Sequence, residues 1–243
     1  MPEGPSIVIP KEEVQRFKGK KILKASGYSK IDKSLLKDKK VTAFKTWGKH
    51  FLICLPHDIS IRIHLLMFGK YLIDEKKRVN PVLHLKFSNG DLYFYTSAVT
   101  LIEENLDNIY DWSVDIMNDA WDPKKARQKL KAQPDTMVCD ALLDQRIFSG
   151  AGNIFKNEVL WRIKVHPAST IGNLPPRKLT ELINEVRNYA FDFLKWKKAY
   201  VLKKNWKAHT KKTCPRCEIP LLKDYAGKTA RRTFYCVNCQ VLY

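Results

Sequence analysis

Several things are missing from this chain, and each absence narrows its function. No stretch approaches the roughly 20 consecutive apolar residues of a membrane-spanning helix. No apolar segment follows a basic start, so no secretory leader is expected. There is no internal repeat and no low-complexity tract. Cysteine is rare before the C-terminal end: Cys54 and Cys139 stand alone, each in an apolar stretch, and read as small buried hydrophobes. Acid is scarce throughout, with 25 Asp+Glu against 44 Lys+Arg and a net charge of +19. Between Leu194 and Cys217 there is no acidic residue at all, while eight lysines and Arg216 fall there with Trp196, Tyr200 and Trp206 among them. That balance points to a polyanionic partner, most simply nucleic acid, with a membrane surface as the competing polyanion. The expected location is intracellular, cytoplasmic or nucleoid-associated, with cysteines reduced unless they hold a metal.

What is present suffices for a folded protein. The chain has 243 residues, of which 44% are hydrophobic, enough for two modest domains or one large one. Apolar residues from Ile7 to Phe17 predict a short amphipathic helix disturbed by Pro10. Residues 20–112 read as strands. Val41–Leu55 and Ile59–Ile73 flank the turn Pro56-His57-Asp58, and Asn89-Gly90 is a hairpin signal after Val82–Phe87. This spacing suggests a β-sandwich or barrel. The pattern then turns helical. Asp122-Pro123 is a cap followed by proline at the first helical position. A second helix is expected from Pro134-Asp135-Thr136 to about Phe148, and a third from the turn Ser149–Asn153 through Ile163. A fourth follows Pro175-Pro176, with Leu179, Leu182, Ile183, Val186, Ala190 and Phe193 on one face.

Five groups of residues carry chemistry. The chain starts Met1-Pro2-Glu3-Gly4-Pro5. Removal of Met1 before a small second residue would leave Pro2 with a free secondary amine. A terminal amine titrates near 7.7–8.0, so roughly a tenth is neutral at pH 7, against well under a thousandth of an ordinary lysine. A neutral amine can attack a sugar aldehyde carbon and form an iminium, with Glu3 beside it to move a proton. The turn Gly150-Ala151-Gly152-Asn153 opens a helix, where small residues let N–H groups approach a phosphate. Its spacing matches neither a Walker nor a dinucleotide loop. Lys49, in Trp47-Gly48-Lys49-His50, reads as a strand-borne lysine. Leu66-Met67-Phe68-Gly69 reads as an apolar strand tip, which exposed would be a base-unstacking wedge and packed would be core. Finally, Cys214, Cys217, Cys236 and Cys239 form two Cys-x-x-Cys knuckles around a hairpin-like segment. They supply four thiolates for one structural Zn²⁺ with no open position. Arg231, in that hairpin, can reach a phosphate.

In order along the chain these motifs resemble those of the formamidopyrimidine-DNA glycosylase/endonuclease VIII family. The resemblance rests on Met1–Pro5, Gly48-Lys49-His50, Ile63-His64-Leu65-Leu66-Met67-Phe68-Gly69, Leu142-Leu143-Asp144-Gln145, Gly150–Ile154 with Asn157-Glu158, and Arg231 ahead of Cys236, with Gln240 after Cys239. It implies an α+β multidomain fold: an N-terminal β-sandwich with an N-terminal helix (1–115), a helix–two-turn–helix domain (116–205) and a zinc finger (206–243). It also implies base excision repair by a bifunctional glycosylase/AP lyase acting on damaged double-stranded DNA as a monomer. In that chemistry a damaged base is flipped out and Pro2 attacks the sugar C1′. Glu3 protonates the ring oxygen, and β- then δ-elimination cuts the strand. Lys49 would act beside them on a phosphate near the lesion, and Asn153 and Arg231 would grip the flanking phosphates. Gly150, Gly152 and His64 would join the DNA contacts, and Leu66, Met67 and Phe68 would fill the void. The sequence departs from the family at Ser6, where a second glutamate is usual, and at Ala151. It has no room for a long capping loop before Cys214 and no void-filling arginine near 105–115, which favours the endonuclease VIII side and oxidised pyrimidines. The alternatives are an 8-oxoguanine/formamidopyrimidine enzyme, a catalytically weak damaged-DNA binder and a zinc-ribbon RNA-binding protein.

Overall fold

An apolar helix face meeting a twisted sheet organises the first half of the protein. The computed structural model describes residues 2–243, and Met1 lies outside the described residues. The chain divides into two compact units, 1–111 and 112–243.

The first unit opens with α1 (Gly4–Glu13), continued by a 3-10 turn, Val14–Phe17. Six strands follow: β1 (Lys24–Ser26), β2 (Ala43–Trp47), β3 (His50–Cys54), β4 (Ile59–Ile73), β5 (Leu83–Phe87) and β6 (Gly90–Glu103), then the one-turn helix α2 (Leu106–Ile109). They form one antiparallel sheet in the order β1-β5-β6-β4-β3-β2. Helix α1 packs on β2 and β3. Its Ile7, with Val14 and Phe17 just beyond, is fully buried among Phe51, Ile53, Ile61, Ile63 and Phe94. Three such side chains contribute roughly 1.5–3 kcal/mol each. That outweighs the roughly 3 kcal/mol cost of Pro10 inside the helix.

In this first unit two details differ from the sequence reading. Val41–Leu55 is a hairpin. Trp47 pairs with His50, which leaves Gly48-Lys49 as a two-residue loop, and Gly48 takes the positive φ of 53° that such a loop needs. Lys49 is therefore a loop residue, not a strand residue. The later hairpin is closed by Ser88-Asn89, one residue earlier than expected, because Gly90 already pairs with Phe87. Long strands β4 and β6 break register between Leu65 and Lys70, which ejects residues 66–69 from the ladder.

The second unit contains α3 (Pro123–Lys131), α4 (Val138–Ala141), α5 (Asn153–Arg162), α6 (Pro176–Lys198), α7 (Leu202–Asn205) and the hairpin β7 (Leu222–Ala226)–β8 (Arg231–Tyr235). Asp122 caps α3, accepting from the N–H groups of Lys124 and Lys125 at 2.8 and 3.2 Å. Helix α6 lays Leu179, Leu182, Ile183, Val186, Ala190 and Phe193 into a core shared with Leu130, Phe148, Phe155 and Val159. The expected helix over 134–148 is only the single turn α4. The N–H groups of Val138 and Cys139 bond to Ser169 and Pro167 carbonyls. Asp144 then folds the chain back, its Oδ1 accepting from Arg146 N–H and its carbonyl from Ile147 and Phe148. The acid-free stretch is the end of α6, then α7 and the connection to Cys214.

Candidate nucleic-acid interface

At the start of the first unit, Pro2 is half-buried and Glu3 is buried, in extended conformation just ahead of α1. The Glu3 carbonyl accepts the Ser6 N–H at 2.8 Å, so the end is tied to a helix that is itself packed on the sheet. Ser6 is half-buried within this first turn.

His50 and His64 stand directly opposite on β3 and β4, with ring centroids 5.5 Å apart. His50 Nδ1 lies 3.1 Å from Tyr110 Oη, and Trp47 Nε1 donates to the Asp111 carbonyl at 3.0 Å. Burial, then the charges of His64 and Arg62, push His50 down to about 4. Burial, then Lys49 and Arg62, lower His64 as well. The positive charge of the loop residue Lys49 thus reaches His64 and disfavours its protonated form.

Leu66, Met67 and Phe68 are 42%, 65% and 77% exposed, so none of the three is a core residue. Gly69 closes this projection. A Cβ there would lie 2.7 Å from the Thr96 carbonyl and 2.8 Å from Leu66 N, so only glycine lets the two strands approach.

In the second unit the glycine turn is held by Gln145. Its Nε2 donates to the Leu143 and Ala151 carbonyls at 2.9 and 3.0 Å, and its Oε1 accepts the Gly150 N–H at 3.0 Å. Gly150 has φ 101°, Ala151 is fully buried, and Gly152 leads into α5. Helix α5 then presents a polar run, buried from Lys156 on, to the hairpin. Asn153 Nδ2 donates to the Arg232 carbonyl at 2.9 Å. Lys156 Nζ donates to Thr233 Oγ1 at 2.8 Å and reaches the Arg231 and Arg232 carbonyls at 3.3 Å. Burial, together with the Arg231 charge, pulls this ammonium down to about 8, against the opposing pull of Cys139 and Asp140. Glu158 accepts the consecutive N–H groups of Lys207, Ala208 and His209 at 2.7–3.0 Å. Burial raises its carboxyl, and these three bonds pull it back toward the ionised form. Asn153, Gly150, Gly152 and the exposed Arg231 are thus gathered around one helix start and one strand.

The sequence reading gave Lys156 no role and quoted Asn157 and Glu158 only within a motif. The available signal was a polar Lys-Asn-Glu run between Phe155 and Val159-Leu160, in a helix buried on most sides.

The Sγ atoms of Cys214, Cys217, Cys236 and Cys239 all lie within 4.8 Å of one another, and Cys214 and Cys239 are 3.9 Å apart. A tetrahedron with bonds of about 2.3 Å has edges of roughly 3.8 Å, so the set fits one metal ion such as zinc. Trp161 Nε1 donates to Cys214 Sγ at 3.3 Å. Arg216 Nη1 donates to Cys239 Sγ at 3.2 Å, with its guanidinium 4.0 Å from the Trp161 ring centroid. Although burial opposes it, hydrogen bonds from Trp161 and nearby backbone N–H groups bring the Cys214 thiol down to about 6. Burial and the three neighbouring thiols drive Cys239 up to about 12. A divalent cation would take all four as thiolates.

Residues 1–101 match the formamidopyrimidine-DNA glycosylase N-terminal domain, and residues 112–198 match the formamidopyrimidine-DNA glycosylase H2TH domain. The chain belongs to the formamidopyrimidine-DNA glycosylase/endonuclease VIII family. It is 30% identical over 190 residues to endonuclease 8-like 3 of Mus musculus, an alignment covering 74% of this chain and 31% of that protein. It therefore spans about a third of the length of those relatives. It is 27% identical over the whole of both chains to the formamidopyrimidine-DNA glycosylase of Lactobacillus helveticus. The fold is that of the Lactococcus lactis formamidopyrimidine-DNA glycosylase solved with AP-site DNA, with TM-score 0.86, 23% identity and 98% and 99% of the two chains covered. A viral DNA glycosylase superposes equally well, at 21% identity over 98% and 100%. Among the described residues, no helix is long and apolar enough to cross a membrane.

Proposed function

We propose that the protein is a bifunctional DNA glycosylase and AP lyase that removes oxidised bases, chiefly pyrimidines, from double-stranded DNA. The observation that carries this reading is Pro2-Glu3 tied directly ahead of a helix packed on the sheet, in a chain of this family. Once Met1 is removed, the Pro2 nitrogen attacks C1′ and the base departs with the electron pair of the N-glycosidic bond. Glu3 protonates the ring oxygen as it opens, leaving an iminium between Pro2 and C1′. Loss of a C2′ proton expels the 3′ phosphate, and a second elimination expels the 5′ phosphate.

In this reading Lys49, beside His64, binds a phosphate near the lesion. Asn153 and Arg231, with the Gly150–Gly152 turn, hold the flanking phosphates. Leu66, Met67 and Phe68 enter the space left by the flipped nucleotide, and one Zn²⁺ on the four cysteines is structural, closing residues 206–243 as a module. The likeness to relatives named endonuclease 8-like 3 supports the endonuclease VIII side of the family, and a Lactococcus lactis formamidopyrimidine-DNA glycosylase of the same fold was solved on DNA containing an oxidised pyrimidine. The full-length match to a formamidopyrimidine-DNA glycosylase favours 8-oxoguanine as a second reading.

The test is strand cleavage on duplexes carrying an oxidised pyrimidine, 8-oxoguanine or an abasic site, using protein shown by intact mass to lack Met1. Cleavage of the pyrimidine duplex with both eliminations is expected, falling at least about 100-fold in Pro2→Gly and Glu3→Gln. Preference for 8-oxoguanine would select the second reading. Tight binding without cleavage would leave a damage-binding protein.

A further inference from the structure

Lys156 is fully buried on α5, and among the described residues no carboxylate pairs with it. Asp140 acts on this ammonium without pairing with it, a buried ammonium lacking a paired carboxylate is strongly unfavourable, and an apolar side chain would fill the same space at lower cost. Its three N–H groups meet three acceptors: Thr233 Oγ1 and the carbonyls of Arg231 and Arg232. Thr233 Oγ1 donates onward to the Arg231 carbonyl at 2.9 Å. The ammonium therefore holds the backbone carbonyls of the first two residues of β8, Arg231 and Arg232, and the hydroxyl of the third, Thr233.

Neighbouring bonds act on the same strand. Asn153 Nδ2 also holds the Arg232 carbonyl, so Asn153 and Lys156 share one acceptor. At the other end of the hairpin turn, both carboxylate oxygens of Asp140 accept the Lys228 N–H at 3.0 and 3.1 Å. Gly227, with φ 77°, has no room for a Cβ against that carboxylate.

We propose that Lys156 is a positioning residue that holds the start of β8 so that Arg231 is preset as a clamp on a DNA phosphate beside Asn153, though its own side chain never meets DNA. This rests on the reading of Asn153 and Arg231 as phosphate-gripping residues given above. A preset clamp loses no freedom on binding, so removing the lock weakens affinity while leaving the chemical step alone.

The test is a double-mutant cycle with Lys156→Met, Arg231→Ala and the pair. Binding is measured on a duplex with a non-cleavable abasic analogue, and KM and kcat on an abasic duplex. Arg231→Ala is expected to weaken binding about tenfold, as loss of one charged phosphate contact does. Lys156→Met should weaken it about five- to tenfold through KM, with kcat within about twofold. The double variant should bind within about twofold of Arg231→Ala alone, because Lys156 acts through Arg231. Thr233→Val, which removes one acceptor, should give a smaller loss in the same direction and serves if Lys156→Met fails to fold. Losses that multiply in the double variant, or wild-type binding in both Lys156→Met and Thr233→Val, overturn the proposal while the reading of Arg231 stands. Unchanged binding in Arg231→Ala overturns that reading, and the clamp with it.

Discussion

The backbone N–H of Phe234 donates to Asn157 Oδ1 at 2.9 Å, two residues before Cys236 of the four-cysteine cluster. The same Asn157 spans its Nδ2 between the Asn153 carbonyl at 2.8 Å and His209 Nδ1 at 3.0 Å. One side chain thus joins the first turn of α5, the basic connection and the strand that enters the second cysteine knuckle. Its removal leaves the buried Phe234 N–H without a partner, a loss worth about 1–3 kcal/mol. Asn157→Ala should lower unfolding stability by that amount in urea titrations. Unchanged stability in Asn157→Ala would contradict the role given to Oδ1.

Metal removal should be readable at Trp161. Its indole donates to Cys214 and is covered by the Arg216 guanidinium, which itself donates to Cys239. Chelation should alter tryptophan emission, and Trp161→Phe should remove most of that change. The same variant deletes one hydrogen bond to a ligand sulfur and should weaken zinc binding about tenfold, in a competition titration with a chromogenic chelator. Unchanged zinc affinity would show that the indole N–H does not tune the cluster.

His50 makes stability depend on pH. Its folded-state pKa is pushed down to about 4 by burial and by the nearby His64 and Arg62 charges, against about 6.5 unfolded. As pH falls, the unfolded chain takes the proton first, so this contribution is complete above about pH 6.5 and is lost as pH falls through about 4. The whole swing is at most roughly 3 kcal/mol. Stability measured from pH 7.5 to 4 should fall less steeply in His50→Gln than in the wild type. Parallel curves would contradict the shift.

The apolar projection separates binding from folding. Phe68 is 77% exposed, so Phe68→Ser should change stability by less than about 0.5 kcal/mol while reducing cleavage of damaged duplex. Gly69→Ala forces a Cβ against the Thr96 carbonyl and should destabilise the protein by about 1–3 kcal/mol. Both are checked by thermal unfolding beside a cleavage assay. A Phe68→Ser variant with full activity would remove the wedge from the account.

Local chemistry was legible in the sequence where it decides structure alone. The Asp122-Pro123 cap, the Pro175-Pro176 start and the paired cysteines all read correctly, because each acts within a few residues. The segment 134–148 did not, because Val138 and Cys139 are captured by carbonyls near residue 168, and Asp144 turns the chain before a helix can extend. Lys49 was misplaced by two residues' worth of loop, which is set by the pairing register and not by propensity. Lys156 was invisible for a different reason. Its partners lie 75 to 77 residues away, and a lysine in a helix gives no sign of pointing inward.

The central claim is that Pro2 forms the covalent intermediate. The direct measurement is borohydride trapping on a duplex with one abasic site, followed by proteolysis and mass mapping of the adduct. The account predicts a single adduct on the Pro2 nitrogen, absent from Pro2-blocked protein that retains Met1. An adduct on a lysine, or none in protein that has lost Met1 and binds the duplex tightly, would contradict it.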